Sequence, residues 1–401
     1  MAYPAVSIAL LNGQIAVAEA SADGTSGMVI GADVGASGIV AGTVYSGREY
    51  QDFKTLGFDD IAFANRHIDE FYSLAPVGTL LYVMIAPDTV EMADICDKAA
   101  ITPYLLNLKN YDTNIKLMGV ARLPDGAYVP AVTKGLDDDV IAAIVNAQAL
   151  SGDFVTYRPH RTVVEAREYQ GVIGTLEDLR AASYQRCAAT ICSSEAALSG
   201  TPAVHDKSAA LGLTLGALAA IPPQRKISRV KSGALPITAA YVYDESNTPK
   251  YQSVEDIDVE AMHDKGYITI RVHKTRSGYY FGGDPAATAS TDDYKNLSLG
   301  RVVDKAIPII YDTLVEELDD DVQVDAETGY LPTPVIKYYQ GRIETAVLNA
   351  MADNLSGFQA YIDPLQDIIT AAKLIIKCTI VPVGYTSGFE VTLAFDNPAT
   401  A

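Results

Sequence analysis

The sequence predicts a mixed α/β (α+β) chain, on three observations. A continuous apolar run of strand length, TLLYVMIA (79–86), has the pattern of a strand covered on both faces, and IKLMGVAR (115–122) repeats the strand–helix–strand rhythm. Helix-period stretches such as FDDIAFANRHIDEFYSL and LDDDVIAAIVNAQALSG alternate with them, which is the rhythm of an α/β layer. The last part of the chain changes habit, with two long helical stretches followed by three strand-like pieces, FQAYID, LIIKCTIVPV and FEVTLAF.

Taken in order, residues 3–18 are apolar or small, and Glu19 brings the first charge. The Asn12-Gly13 step is a turn signal between two short strand-like runs. Such a segment needs a sheet to join, because an exposed sticky edge is normally avoided. Strand-like MVIGADV and GIVAGTVY come next, among dense glycines. The next helix carries an apolar stripe of Ile61, Phe63, Ile68, Phe71 and Tyr72, with Asp59 or Asp60 placed to cap it. After the strand at 79–86, closed by Pro87, come a helix around 89–109 and the strand at 115–122. The run LDDDVIAAIVNAQALSG has acids in its first turn and Gly152 at its end, both suited to the helix dipole and cap.

FVTYRP (154–159), a helix near 176–184 and CAATICS (187–193) continue the alternation. In the apolar helix DKSAALGLTLGALAAI, Gly212 and Gly216 permit close packing, and Pro222-Pro223 ends it. Residues 244–260 are polar and acidic and read as a boundary or loop. YITIRVHK (267–274) alternates as a strand, a small-residue loop succeeds it, and NLSLGRVVDKAIPIIYDTLVEELDD is a long helix disturbed at Pro308. TPVIKYYQGRIETAVLNAMAD is the second long helix, with Pro334 in its first turn.

A chain of 401 residues suggests two or three domains and buries enough surface to need no disulfide or metal staple. A net charge of −20 argues against general binding to nucleic acid or anionic membranes. The same charge opposes unregulated self-association, so assembly requires specific contacts and is helped by salt. Cys96, Cys187, Cys192 and Cys378 contain no CxxC pair, and they read as small buried hydrophobes in a reducing compartment. The opening MAYPAVSIALLNGQIAVAEA lacks a basic lead and is broken by Pro4 and Asn12-Gly13, so it is not read as a signal peptide. The longest apolar run, Ala209 to Ile221, falls short of the roughly 20 residues a membrane span needs. The expected compartment is the cytoplasm, at least until lysis or another route releases the protein.

Catalytic and cofactor motifs are not found. His67, His160, His205, His263 and His273 are far apart in sequence, and RHIDEF around His67 is not HExxH, so His67 reads as a surface residue. GxSxG and GxxxxGK[ST] are absent. Ser193-Ser194-Glu195 has no histidine close in sequence and reads as a helix cap. Gly31, Gly35, Gly38 and Gly42 do not form GxGxxG, and the residues after Gly38 read as strand rather than helix. Asp319, Asp320, Asp321, Asp325 and Glu327 miss the EF-hand register and read as a solvated acidic turn. No catalytic residue, metal ligand or cofactor is therefore expected, although a triad assembled from distant residues would leave no local motif.

The stretch GYITIRVHKTRSGYYFGGDPAATASTDDYKNLSLGRVVDKAIPIIYDTLVEEL resembles contractile tail sheath proteins of phage tails and contractile injection systems. The resemblance lies in the strand around Tyr279–Phe281, the DDY turn, and the R-V-x-D-K helix with Arg301, Val302, Asp304 and Lys305. Weaker similarity covers PAVSIALLNGQ, DEFYSLAPVGTLLYV and the glycine-containing helix at 208–221. It implies a two-part sheath subunit. An N-terminal arm (1–20) and an inner sheath core (295–384) form an inner α/β domain, residues 21–243 an outer α/β domain, 244–294 connecting strands and loop, and 385–401 a C-terminal arm.

It further implies a non-enzymatic subunit that polymerises as stacked hexameric rings around an inner tube and contracts to drive the tube through a target envelope. The implied partners are further copies of the chain, the tube protein, and baseplate and tail-terminator proteins. Nucleic acid and direct membrane insertion are not among them, and no cofactor is implied. Assembly would take place in the bacterial cytoplasm, as part of a phage tail or injection particle. Strand-donating arm residues would be Val6, Ile8, Leu10, Ile15 and Val17 at one end and Phe389, Val391, Leu393 and Phe395 at the other. Lys305, Lys337 and Arg342 are the tube-facing candidates by analogy. The competing expectations are a cytoplasmic α/β enzyme with an unrecognised site, and another self-assembling shell protein.

Overall fold

The computed structural model describes residues 22–198, 207–388 and 390–392. They divide into two compact units, Met1–Asp319 and Asp320–Ala401. In the first, β1 (Ser26–Gly31) and β2 (Val44–Gly47) precede α1 (Tyr50–Leu56) and α2 (Ala62–Leu74). Next come β3 (Leu81–Ala86), α3 (Met92–Cys96), α4 (Tyr104–Tyr111), β4 (Leu117–Arg122), α5 (Asp138–Asp153) and β5 (Arg161–Glu165). β6 (Ser183–Tyr184), β7 (Cys187–Thr190), β8 (Cys192–Ser194), α6 (Leu211–Ala219), β9 (Ala240–Tyr243) and β10 (Tyr251–Ser253) continue the chain. α7 (Val259–Asp264), β11 (Tyr267–Ile268), β12 (Ile270–His273), β13 (Arg276–Phe281), β14 (Ala287–Thr288) and the long α8 (Leu297–Val315) complete the unit.

A seven-stranded sheet, ordered β11-β7-β5-β4-β1-β3-β2, forms its centre. All its pairings are parallel except that of β2 with β3. Every residue of β1, β4, β5 and β7 is buried. This is why β1 and β4 read as apolar runs rather than as alternations. Gly119 in β4 lets α6 lie directly on the sheet, since a Cβ there would stand 2.3 Å from Leu215 Cδ1.

The second helix layer rests on the two glycines marked in the sequence. A Cβ on Gly212 would lie 2.0 Å from the carbonyl oxygen of His67, and one on Gly216 2.4 Å from that of Phe71. α6 and α2 therefore meet backbone to backbone. The stripe on α2 points into this core, with Phe63, Ile68 and Phe71 fully or almost fully buried.

Several expected elements are redrawn. The helix expected over 89–109 is two short ones, α3 and α4, with Pro103 at the N-cap of the second, because proline cannot continue a helix already under way. FVTYRP is a turn, since Arg158 sits at φ 67°, and the strand begins at Arg161. The helix near 176–184 is a 3-10 turn at Leu179–Ala181, capped by Asp178, that runs into β6. Asp59 and Asp60 lie in a 3-10 turn before α2, and its N-cap is Ile61, without a side-chain cap. GIVAGTVY contributes only its end to β2, because Gly38 and Gly42 bend the chain at φ 80° and 78°. α5 begins as expected, with acids in its first turn and Asp137 accepting from the Asp139 amide, but it runs past Gly152 to Asp153, and its C-cap is Phe154.

Among its described residues the second unit holds α9 (Thr333–Met351), β15 (Leu355–Ile362), the single turn α10 (Ile368–Ala371) and β16 (Ile376–Pro382). Pro334 falls in the first turn of α9, as expected. β15 and β16 pair antiparallel, Ala360 facing Cys378. Ile336, Tyr339, Ile343, Val347 and Met351 form the buried face of α9. β15 alternates strictly in its last half, with Phe358, Ala360 and Ile362 buried, as a strand covered on one face should. Of FEVTLAF, residues 390–392 are described and lie in no strand or helix.

Cys96, Cys187 and Cys192 are buried, whereas Cys378 is exposed. The expectation of four buried thiols fails at Cys378 because no residue of β16 is buried within the chain. Among the described residues, no helix is long and apolar enough to cross a membrane.

Candidate assembly interface

Open α/β sheets hold ligands outside the carboxyl ends of their strands, where the strand order reverses. Here that point is the end of β1, flanked by β3 and β4. The protein's own side chains fill it. Arg122, at the end of β4, lies 3.3 Å from Asp139 and donates to the Asp88 carbonyl at 3.0 Å. The Tyr128 ring lies 4.3 Å from its guanidinium. Asp139 also accepts from the Met92 and Ala93 amides at 2.7 and 2.8 Å and so caps α3.

A second buried polar group lies between α2, β5 and β8. His67 is fully buried, 3.6 Å from Glu70 and 3.9 Å from Glu165. The surface position expected for it is wrong, because α6 closes over α2 at Gly212. Arg66 donates to Ser208 Oγ and the Ala209 carbonyl, both at 2.6 Å. Ser194 donates to Glu70 at 2.7 Å. The Ser193-Ser194-Glu195 run is therefore not a helix cap through its serines. Ser193 bonds the Ser208 carbonyl, and the Glu195 carboxylate holds the Thr238 and Ala239 amides at 2.8 and 3.2 Å. Burial lowers the pKa of His67, so it is neutral at physiological pH. Every one of these groups braces one element against another.

The R-V-x-D-K residues form the anchor of α8. Asp304 takes Arg161 Nε at 2.7 Å and the Arg186 guanidinium at 3.0 Å. Gly300 makes room for this pairing, since a Cβ there would lie 2.1 Å from the Arg161 guanidinium carbon. Arg301 is buried and donates to the Ile221 carbonyl at 3.2 Å. Lys305 pairs with Asp23 at 2.7 Å. All buried residues of α8 precede Pro308, and beyond it Tyr311 and Val315 are exposed.

The other two tube-facing candidates lie on α9. Lys337 is exposed and donates to Gln340 at 3.1 Å, while the half-buried Arg342 donates to the Tyr338 hydroxyl at 2.9 Å. Five residues apart, they stand about 140° apart around the helix and share no face. Of the arm candidates, Val391 is exposed. Val6, Ile8, Leu10, Ile15, Val17, Phe389, Leu393 and Phe395 lie outside the described residues.

The second unit is unusually open. Tyr361, Leu365, Ile369, Ile375 and Val381 are all more than half exposed. Its sheet has only two strands among the described residues, and such a ribbon is marginal alone. Between α9 and β15 runs a groove of about 480 Å³, lined by Lys337, Gln340, Gly341 and Glu344 on one side and by residues 359–362 on the other. At its centre Glu344 accepts from the Ala360 amide at 2.9 Å. No local sequence signal marks this last pair, which only the register of β15 against α9 brings together.

The whole chain is similar in fold to solved contractile particles. A chain of the anti-feeding prophage helical sheath in the contracted state matches at 14% identity with a TM-score of 0.57, covering 99% of this chain and 100% of that one. A chain of the anti-feeding prophage baseplate in the contracted state matches at 12% identity and a TM-score of 0.59, again over 99% and 100%. A chain of the contracted sheath complex of PVC, an extracellular contractile injection system, matches at 12% identity and 0.55, over 99% and 98%. No curated protein matches the sequence. The profile of the DUF2586 N-terminal domain matches residues 3–284 and that of the DUF2586 C-terminal domain residues 293–400, so the chain belongs to the DUF2586 family.

Proposed function

We propose that this protein is the structural subunit of a contractile sheath. It polymerises as stacked hexameric rings around an inner tube and contracts to drive that tube through a target envelope. One observation carries the reading: a full-length fold shared with sheath chains ends in a unit whose two-stranded sheet and exposed apolar side chains lack cover among the described residues. An exposed apolar surface of this kind marks an interaction site. Strands donated by residues 1–20 and 385–401 of neighbouring copies complete that sheet, main chain to main chain.

In this reading the inner domain combines the N-terminal arm with the C-terminal part of the chain. The α/β body built on the seven-stranded sheet projects outward. Contraction repacks rigid subunits between two arrangements while the arms stay linked. The work is stored in the assembled polymer, so the subunit itself carries no catalytic step. Filling of the sheet's ligand crevice by Arg122, Asp139 and Tyr128 supports this over an α/β enzyme. Release from the tube needs weak, salt-sensitive contacts, for which Lys337 and Arg342, with Lys305 next, remain the candidates, with baseplate and terminator proteins closing the two ends of the sheath.

Electron microscopy of the protein co-expressed with its tube partner is the decisive experiment. Hexameric rings stacked on a tube are expected, and deletion of 1–20 or 385–401 is expected to leave folded, unassembled subunits. A monomer that stays monomeric beside the tube protein would end the proposal.

A further inference from the structure

The donor of Ala360 belongs to a strand, yet its partner is a helix side chain. Glu344 projects from the middle of α9 into the groove beside β15 and takes the Ala360 amide at 2.9 Å. β15 pairs with β16 alone among the described residues. A strand amide that a carboxylate can reach is one that a carbonyl of a further strand can reach. An ionised carboxylate accepts hydrogen bonds and donates none, so it imitates one carbonyl of such a strand while offering nothing for a second residue to pair with. By the two-residue period, Phe358 and Ile362 present their backbone groups to the same side as Ala360.

Resting on the strand-exchange reading above, we propose that Glu344 is a displaceable guard of the β15 edge, holding the Ala360 amide until a strand from a second copy of this chain takes it. Charged groups turned onto an edge are a general defence against premature strand pairing. Here the guard matters because residues 3–18 carry no charge of their own and every copy carries both that segment and the edge. The groove, about 480 Å³ and lined by Lys337, Gln340 and Gly341, gives the displaced side chain somewhere to go. The entering strand exchanges a side-chain acceptor for a backbone one, so the amide stays bonded throughout.

The test compares the wild-type chain with Glu344→Ala and Glu344→Gln, first as free subunits and then assembled on the tube protein. In the free subunit, hydrogen exchange at the Ala360 amide is expected to accelerate about tenfold or more in Glu344→Ala, with circular dichroism unchanged. Glu344→Gln keeps an acceptor without the charge and is expected to stay close to wild type in exchange. Without the tube, Glu344→Ala is expected to polymerise at a several-fold lower protein concentration than wild type. In assembled Glu344→Ala the Ala360 amide is expected to be protected again, because a strand now holds it.

Unaltered exchange in free Glu344→Ala, or an Ala360 amide that stays unprotected after assembly, overturns the proposal. So does an unchanged polymerisation threshold. If Glu344→Ala does not fold, Glu344→Leu, which fills the space of the side chain but offers no acceptor, takes its place with the same expected outcomes, beside exchange at Ala360 in the wild type before and after assembly. Failure of the wild type to assemble on its tube would instead count against the sheath reading, and the two failures are thereby separated.

Discussion

Asp304 and Arg161, 143 residues apart in sequence, are joined by two hydrogen bonds of 2.7 and 3.3 Å in a buried setting. Arg186 closes on the same carboxylate at 3.0 Å, so one acid on α8 serves the heads of two parallel strands. Removing one member of a buried ion group leaves the others uncompensated and typically costs about 3–5 kcal/mol. Asp304→Ala is therefore expected to lower the unfolding free energy of the first unit by that order, measured by denaturant titration of unassembled protein. A loss under about 1 kcal/mol would place the anchor elsewhere.

Close packing of α6 on α2 makes a second prediction. A methyl group at Gly212 or Gly216 would stand at 2.0 or 2.4 Å from a backbone carbonyl, and backbone does not give way as a side chain does. Gly212→Ala and Gly216→Ala are each expected to destabilise by roughly 1–3 kcal/mol despite the better helix propensity of alanine. Thermal unfolding reads this, and a rise in Tm would contradict it.

The third concerns pH. Burial lowers the folded-state pKa of His67 from its ordinary 6.5, with Arg66 adding to the effect. The unfolded chain then binds a proton that the folded one refuses. Stability is lost as pH falls below about 6.5, at up to roughly 1.4 kcal/mol per pH unit. Burial raises the pKa of Glu70, but Arg66 and His67 bring it below its ordinary 4.5, so its own loss begins only at lower pH. Between about pH 6.5 and 5, wild type is expected to lose more stability than His67→Gln, as measured by unfolding at each pH. Parallel curves would exclude His67 as the source.

Thiol labelling supplies the fourth. Cys378 is exposed, while Cys96, Cys187 and Cys192 are buried. Partial burial, with the Glu344 charge beside it, raises the Cys378 pKa and slows its reaction at neutral pH. One equivalent of maleimide is expected to react with the free subunit under native conditions and four after denaturation. Assembly is expected to suppress that first equivalent, because β16 pairs with β15, the strand proposed to receive a strand from a second copy. Undiminished labelling of assembled particles would leave β16 uncovered.

Legibility tracked the range of the interactions. β1, β3 and β4 were readable because burial on both faces writes an unbroken apolar run. Gly212 and Gly216 were readable because glycine spaced by four in an apolar helix has few other uses. Turns were less so: the positive φ of Arg158 has no local signature, and FVTYRP looked like a strand until the chain bent there. His67 was misplaced because its acidic neighbours suggest water, whereas its burial depends on a helix some 145 residues away. The R-V-x-D-K residues stood out by resemblance, but nothing local marks their partners Arg161 and Arg186, at the start of β5 and just before β7. Ala360 and Glu344 carried no signal at all, as neither is unusual in its own element.

The buried half of α8 ends before Pro308, and the chain passes from one unit to the other just beyond this helix, between Asp319 and Asp320. In the proposed sheath, load drawn along the chain through this helix would reach the α/β body where Asp304 is held between two arginines. Three contacts to one carboxylate would then share that load, as suits a part proposed to transmit a stroke and stay whole.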